Sequence, residues 1–403
     1  MVEEENDMSQ TKYIQLLLGL VGILLLAGCR EDSIEPAENE GSESAMELMA
    51  LSTSFLDIQR MDTRADYPDP ASGYVPFNTL YPTTTPINRT IGVFMTPVKT
   101  TSVGNFIYEE GNIWKSTISV IQDQTYYIYG FMPREGVDNV NAHISPLPGA
   151  NTSGEDGGYA EGAVLTIQNY NALTPADVCV IVGVRKADDT ETRETGPLSA
   201  VPVGQFEYVG GPKGKNSIFV LLNHIYAGLH FKAHIDHDYH QLRTIKIKKV
   251  ELVANNITEL VNLNVTITAN NTSSDPITSI SYTPVGSPAS SSTITLFPFE
   301  GGPEEVELQE TSPESFLGCF VPNSCNDFVL RTTYDVYDNN VPQNLIRKGC
   351  VAENQINSHQ ITNMENMQAG DIITLDLLVK PTYLYMLSEP DLNNPTITLT
   401  ATP

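Results

Sequence analysis

The chain has 403 residues, with 22 lysines and arginines against 49 aspartates and glutamates, so its formal net charge is -27. This excess of negative charge disfavours nucleic acids and anionic membrane surfaces as partners. With the N-terminal segments set aside, the length is enough for two domains with separate cores.

An unbroken apolar run covers residues 16–27. It has the length of a secretory signal core and falls short of the ~20 residues that cross a bilayer. The run leads into Leu26-Ala27-Gly28-Cys29, which resembles the lipobox of bacterial lipoproteins. The resemblance implies a signal peptide at 1–28, lipidation of Cys29 and anchoring of the precursor to the cell outer membrane. The alternative is an ordinary signal peptide with an incidental cysteine. Residues 1–7 are acidic, so Met8 is a candidate true start.

Acidic and polar residues follow Cys29 directly, in the stretch REDSIEPAENEGSE. Because this stretch has little to bury, it is predicted to be a flexible tether. It also resembles the surface-export signal of lipoproteins from Bacteroidetes, although a charge run is equally typical of a plain solvated linker.

The remaining chain shows short alternating strands from Thr90 onward, punctuated by turns rich in Gly, Pro, Asn and Asp. This pattern predicts an all-β protein of antiparallel sandwiches. One helical turn is predicted near NALTPAD, where Thr174 could cap and Pro175 start it. The glycine-rich stretch VGGPKGKN is interpreted as a linker, which predicts domains at 65–213 and 214–403.

Candidate chemistry is scarce, because the sequence contains no nucleophile elbow, phosphate-binding loop or zinc-protease motif. Five of the seven histidines cluster: His224, His230, His234, His237 and His240. Strand alternation places His230 and His234 on a wet outer face, ~13 Å apart, which is too far for one ion. We therefore predict no metal site, no cofactor and no enzymatic activity.

The aromatic residues and Cys179 are interpreted as core residues, whereas the pairing of the other cysteines is left open. Trp114 and the shared face of Tyr127, Tyr129 and Phe131 fit a core better than a sugar-stacking surface. Cys179 lies in the apolar run DVCVIVGV and is predicted to be a buried free thiol. Whether Cys319 bridges Cys325 or Cys350 is left open by the sequence.

Several segments together resemble the fimbrillins, the subunits of type V pili in Bacteroidia. They are the lipobox, YYIYGFMP, NHIYAGLHFKAHID followed by TIKIKKVEL, and VKPTYLYMLSEPDLNNPT. The family implies two transthyretin-like antiparallel β-sandwich domains in tandem. It also implies assembly: an arginine-specific protease removes an N-terminal strand, and a strand from a neighbouring subunit fills the groove.

Candidate residues for both steps are present. Met46–Ile58 is a possible removable strand, followed by Arg64 as the preferred cleavage site and Arg60 as the second choice, so that 29–64 would form the tether and removable strand. The C-terminal NNPTITLTATP is a candidate donor strand that inserts Ile397 and Leu399. The alternatives are a final edge strand packed on its own domain, or donation that includes Tyr383–Ser388.

The predicted function is a structural subunit of a cell-surface fimbrium that supports adhesion. Its expected partners are other copies of itself or related pilus subunits, the arginine-specific protease and, in the precursor, the lipid anchor. Two alternatives stay open. A non-polymerising accessory or anchor subunit would keep its lipid, and a surface glycan-binding lipoprotein would bind polysaccharides through exposed tyrosines.

Overall fold

A computed structural model describes most of the chain after residue 41. The described residues are 42–53, 56–57, 74–76, 90–96, 102–108, 113–120, 124–134, 141–186, 205–208, 217–268, 277–341, 344–359, 361, 363–383 and 390–401. Regular structure in these ranges is nearly all strand, with one short α-helix and one 3-10 turn.

Twenty-four strands are described, numbered in chain order. The first twelve are β1 Ser42–Thr53, β2 Leu56–Asp57, β3 Tyr74–Pro76, β4 Thr90–Thr96, β5 Ser102–Tyr108, β6 Ile113–Val120, β7 Gln124–Met132, β8 Ala142–Pro146, β9 Gly162–Asn171, β10 Leu173–Thr174, β11 Cys179–Lys186 and β12 Gln205–Tyr208. The others are β13 Ser217–His224, β14 Ala227–Ile235, β15 Arg243–Ile257, β16 Leu260–Thr268, β17 Ile277–Val285, β18 Ala289–Phe297, β19 Val306–Glu307, β20 Glu314–Phe320, β21 Asp327–Asp338, β22 Leu345–Asn357, β23 Asp371–Tyr383 and β24 Pro390–Ala401. The helix α1 is His237–His240, and the 3-10 turn is Met364–Asn366.

The all-β prediction is confirmed, and its cause is visible in the strands themselves. Buried and half-buried residues alternate along β14 and β16, as expected for strands with one face in a core. On β14 the buried face carries Leu229, Phe231, Ala233 and Ile235, as predicted. Most described pairings are antiparallel, whereas β1–β13, β2–β23 and β14–β23 are parallel.

The largest sheet, called here the ring sheet, closes on itself. Its strand order is β11-β13-β1-β6-β5-β4-β7-β12, with the short β3 beside β1, and β7 also pairs with β11. One face buries an apolar cluster, called here the ring core: Ile91, Val93, Met95, Phe106, Trp114, Tyr126, Ile128, Met132, Cys179, Ile181, Val184, Ile218, Val220 and Leu222. The opposite face contributes Phe94, Tyr129, Phe131 and Val182 to a second, larger core.

Three further sheets share that larger core. They are β10-β20-β14-β23-β2 with β24 beside β23, β18-β15-β21-β22 with β19 beside β15, and β17-β16-β9-β8. The expected domain boundary at residue 214 lies outside the described residues. Strands from both sides of it share sheets, because β13 pairs with β11 and β16 pairs with β9. The boundary itself stays a prediction.

The predicted helical turn near NALTPAD is wrong. Leu173 and Thr174 form β10, which pairs with Phe320 and Cys319, so tertiary pairing prevails over the local capping signal. The helical turn forms instead at α1, where the Asp236 side chain accepts a hydrogen bond from the Tyr239 backbone N–H. In the described part of the chain, no helix is both long and apolar enough to cross a membrane.

Candidate functional site

The N-terminal strand β1 lies inside the ring sheet. The sequence predicted a removable strand at about Met46–Ile58, and the structure places β1 at Ser42–Thr53 with the short β2 after it. β1 runs parallel to β13, with Glu47 opposite Ser217 and Ser52 opposite Leu222, and it lies between β13 and β6. Without β1, the backbone edges of both neighbouring strands would lose a partner.

The two strands beside β1 line the ring core. Ile218, Val220 and Leu222 of β13 are fully buried, and Trp114 of β6 is also fully buried. All four belong to the ring core. The edge beside β1 is therefore an apolar strand edge, which is the kind of surface that binds an added strand.

The short strand β2 lies on the same edge of β23 as the C-terminal strand. β14 pairs with one edge of β23 from Ile372 to Val379. Leu56 and Asp57 pair with Asp371 and Ile372, and β24 pairs with Leu375–Tyr383, so both must use the opposite edge. The two terminal segments thus meet end to end along one strand, about three residues apart by register.

The candidate donor strand β24 packs on its own chain as an antiparallel partner of β23. Ile397 is 6% exposed and belongs to the larger core, whereas Leu399 is half-buried at the margin of that core. Thr396 and Thr400 are exposed, so the predicted alternation is present. This arrangement is the one expected under the alternative prediction, in which the last strand packs on its own domain. Donation of β24 to a neighbour stays a prediction.

Two side chains from the neighbouring sheet and one from α1 hold β24 through its backbone carbonyls. Asn354 Nδ2 donates to the Ile397 carbonyl at 3.0 Å, Tyr334 Oη to the Pro395 carbonyl at 3.4 Å, and Tyr239 Oη to the Leu392 carbonyl at 3.1 Å. Burial raises the pKa of Tyr334 to about 12. Burial also raises the pKa of Tyr239. Both hydroxyls therefore stay protonated and can donate these bonds well above neutral pH.

The histidine cluster divides among three places. His230 and His234 are half-buried on the outer face of β14, as predicted. His237 and His240 are the first and last residues of α1. Their Nδ1 atoms contact the two carboxylate oxygens of Glu310 at 2.6 and 2.8 Å. These hydrogen bonds lower the pKa of Glu310, and donation to the Glu310 carboxylate raises the pKa of His237.

His224 is the exception, because it is buried beside Asp177 and Cys179. In the sequence His224 groups with the other four histidines, and this contact is not predicted. The available signal was the pattern Asp-x-Cys at the start of an apolar strand, but its histidine partner lies 47 residues away from Asp177.

The remaining cysteines are buried or half-buried free thiols in the described chain. Cys325 Sγ contacts the carbonyls of Asn255 and Asp327, both at 3.3 Å, and is not bridged to Cys319. Burial raises the pKa of the Cys319 thiol, with a smaller contribution from the charge of Asp177. The last of these cysteines, Cys350, is half-buried.

The aromatic residues considered for sugar stacking lie in the core. Trp114 and Tyr129 are fully buried, and Tyr129 donates to the Tyr159 carbonyl at 2.6 Å. Tyr127 is half-buried against the larger core. None of these three rings is exposed for sugar stacking. The predicted sites Cys29, Arg60 and Arg64 lie outside the described residues.

Comparison with known proteins finds distant structural neighbours only. No family model matches the chain, and no curated protein matches it. A proposed cell adhesion protein from Bacteroides fragilis aligns at a TM-score of 0.40 and 10% identity, over 89% of this chain and 98% of that one. A fimbrial protein from Bacteroides vulgatus aligns at 0.27 and 10%, over 90% and 99%. Proposed polysaccharide binding proteins from Bacteroides thetaiotaomicron align at 0.24 and 8%, over 83% and 91%. Similarity at this level does not assign a family.

Proposed function

We propose that the chain is a structural subunit of a cell-surface pilus, exported as a lipoprotein, cleaved after an arginine and polymerised by strand replacement. The observation that carries the proposal is the position of β1 between β13 and β6 in a sheet that otherwise closes on itself. Removal of this single strand would open the ring sheet beside its apolar core.

The position of the predicted cleavage sites supports the same step. Arg60 and Arg64 follow both β1 and β2 in the sequence, so one cut after either arginine would release both strands. That cut would free the β13 edge from Ser217 to Leu222 and the β23 edge at Asp371 and Ile372. An open strand edge over an apolar core is unstable in water and binds an extended segment that restores the backbone pairing.

The C-terminal strand has the properties needed of the replacing segment. Among the described strands β24 pairs with β23 alone, and it carries an apolar face of Ile397 and Leu399 flanked by the exposed Thr396 and Thr400. Transfer of β24 into the β13 edge of a second copy would join copies head to tail. Because such a contact is heterologous, the product is an open filament.

Limited proteolysis of the full chain tests the proposal. An arginine-specific protease should cut after Arg64 or Arg60, and the cut protein should form a ladder on gels run without boiling. The double variant Arg60→Ala, Arg64→Ala should stay intact and monomeric. Arg331→Ala, in the paired strand β21, serves as the control and should behave like the parent. A cut chain that stays monomeric at high concentration would refute polymerisation.

The state of Cys29 separates a polymerised subunit from an anchor subunit. Mass spectrometry of the protein taken from cell-surface filaments should find an N-terminus after Arg60 or Arg64 and no lipid. Filament material that retains lipidated Cys29 would favour the accessory or anchor role instead.

A further inference from the structure

Three polar side chains are buried side by side where the ring sheet closes. Cys179 begins β11 and lies directly opposite His224, the last residue of β13. Cys179 also pairs with Met132 of β7, which is the contact that closes the ring. Asp177 lies two residues before Cys179, and the three residues are between 0% and 5% exposed.

The polar atoms of the three side chains lie close to one another. His224 Nδ1 lies 3.4 Å from Cys179 Sγ, and 3.0 and 2.9 Å from the two carboxylate oxygens of Asp177. Within the described residues, these are the three groups whose ligand atoms all lie within 4.8 Å of one another. One imidazole nitrogen carries at most one proton, yet it faces both a thiol and a carboxylate here.

The donor set matches the ligands of zinc. Cysteine, histidine and aspartate bind zinc at roughly 2.3, 2.0 and 2.1 Å in a tetrahedral arrangement, which separates neighbouring ligand atoms by roughly 3.4 to 3.6 Å. The separations of His224 Nδ1 from Asp177 and from Cys179, 2.9 and 3.4 Å, therefore need only small outward movements to admit an ion. The thiol and the carboxylate lie within 4.8 Å of each other. When they act as ligands, a carboxylate and a thiolate carry negative charge, which a bound divalent cation would compensate.

We propose that Asp177, Cys179 and His224 form a buried binding site for a divalent transition metal of the zinc class. The bound ion would link β11 and β13 beside β7 and so fasten the ring where it closes. This site does not depend on the proposed assembly, because it lies on strands that cleavage after Arg64 would leave in place.

Metal content of the full chain, purified without a histidine tag and desalted after loading with zinc, tests the site. The parent should retain about one zinc per chain. Cys179→Ser and His224→Asn should each lose it. Two controls should retain it: Cys325→Ser, a buried thiol in another part of the core, and His237→Gln, which removes a surface histidine.

Cobalt substitution identifies the ligands and does not depend on whether the variants fold. Cobalt added to the metal-free parent should give a thiolate-to-metal charge-transfer band and the strong visible bands of a tetrahedral centre. Zinc should raise the unfolding temperature of the parent, and a chelator should reverse the rise. No retained zinc, no thiolate band and an unchanged unfolding temperature would overturn the site. So would full zinc retention in folded Cys179→Ser and His224→Asn.

Discussion

The two terminal strands of the described chain are held in different ways. β1 lies between β13 and β6 of the ring sheet and also pairs with β3. Among the described strands β24 pairs with β23 alone, and its backbone also accepts hydrogen bonds from Asn354 and Tyr334. Loss of β1 therefore leaves two unpaired edges beside an apolar core, and loss of β24 leaves one edge. This difference fits the proposed roles, in which β1 is the strand removed by cleavage and β24 is the strand that changes partners.

Truncation at the two ends should give opposite results, with the largest effect of the series. A chain cut after Arg64 should move from monomer to assemblies of high mass, because the opened ring sheet recruits strands from other copies. A chain lacking residues 390–403 should stay monomeric and lose stability, because it has an intact ring and no strand to donate. Light scattering after size-exclusion chromatography measures both. Equal assembly of the two truncated chains would contradict the different roles proposed for β1 and β24.

The two apolar residues of β24 should contribute unequally to folding of the monomer. Ile397 is 6% exposed, so Ile397→Ala should lower the free energy of unfolding by about 2 to 4 kcal/mol. Leu399 is half-buried, and Leu399→Ala should cost about 1 kcal/mol or less. Urea denaturation of both variants checks the order. A larger loss for Leu399→Ala would mean that β24 is not seated as described.

The hydroxyl of Tyr334 offers a finer test of how β24 is held. Tyr334→Phe removes the bond to the Pro395 carbonyl and should cost about 0.5 to 1.5 kcal/mol at neutral pH. Burial raises the pKa of Tyr334 to about 12, from an unfolded value of about 10. The stability associated with the protonated hydroxyl is thus complete below pH about 10 and is lost as the pH rises towards 12.

Because phenylalanine does not titrate, the difference in stability between parent and Tyr334→Phe should narrow above pH about 10. Denaturation at neutral pH and at about pH 11 measures it. A constant difference at both pH values would exclude a titrating role for this hydroxyl.

The smallest effect is expected for the contacts that Glu310 makes with the first and last residues of α1. This helix carries Tyr239 and so supports the start of β24. Glu310→Gln removes the contacts to His237 and His240. The raised pKa of His237 gives stability that is lost as the pH rises through its folded value, above 6.5. The lowered pKa of Glu310 gives stability that is lost as the pH falls through its folded value, below 4.5.

Between these limits both groups are charged, so Glu310→Gln should lower the unfolding temperature most at about pH 5.5 and little at about pH 8.5. The exposed Glu304→Gln is the matched control and should show no such dependence. A loss that is largest at alkaline pH would contradict the ion pair.

The sequence was sufficient to predict the fold class and the faces of individual strands. Alternation on β14 separated Leu229 and Phe231 from His230, and the structure confirms the separation. Local patterns could not locate partners far along the chain. The parallel pairing of β1 with β13 and the contact of Asp177 with His224 depend on how distant strands meet, which no local spacing encodes.

At Thr174 and Pro175 the prediction of a helical turn failed because a distant pairing prevailed over a local signal. The capping signal was valid locally, but pairing of Thr174 with Cys319 on β20 prevailed over it. For β24, the same alternating pattern fits both a docked edge strand and a donated one. Its sequence therefore could not distinguish the two, and the structure shows only the docked form.

Binding of a labelled peptide with the sequence of residues 390–403 tests strand replacement most directly. The peptide should bind saturably to the chain cut after Arg64 and freed of its N-terminal fragment, and it should not bind the uncut chain. A matched peptide with Ile397→Asp should fail to bind, because a carboxylate would enter the apolar groove beside β13. Equal binding of the peptide to cut and uncut chains, or no binding to either, would contradict the proposed role of β1 and β24.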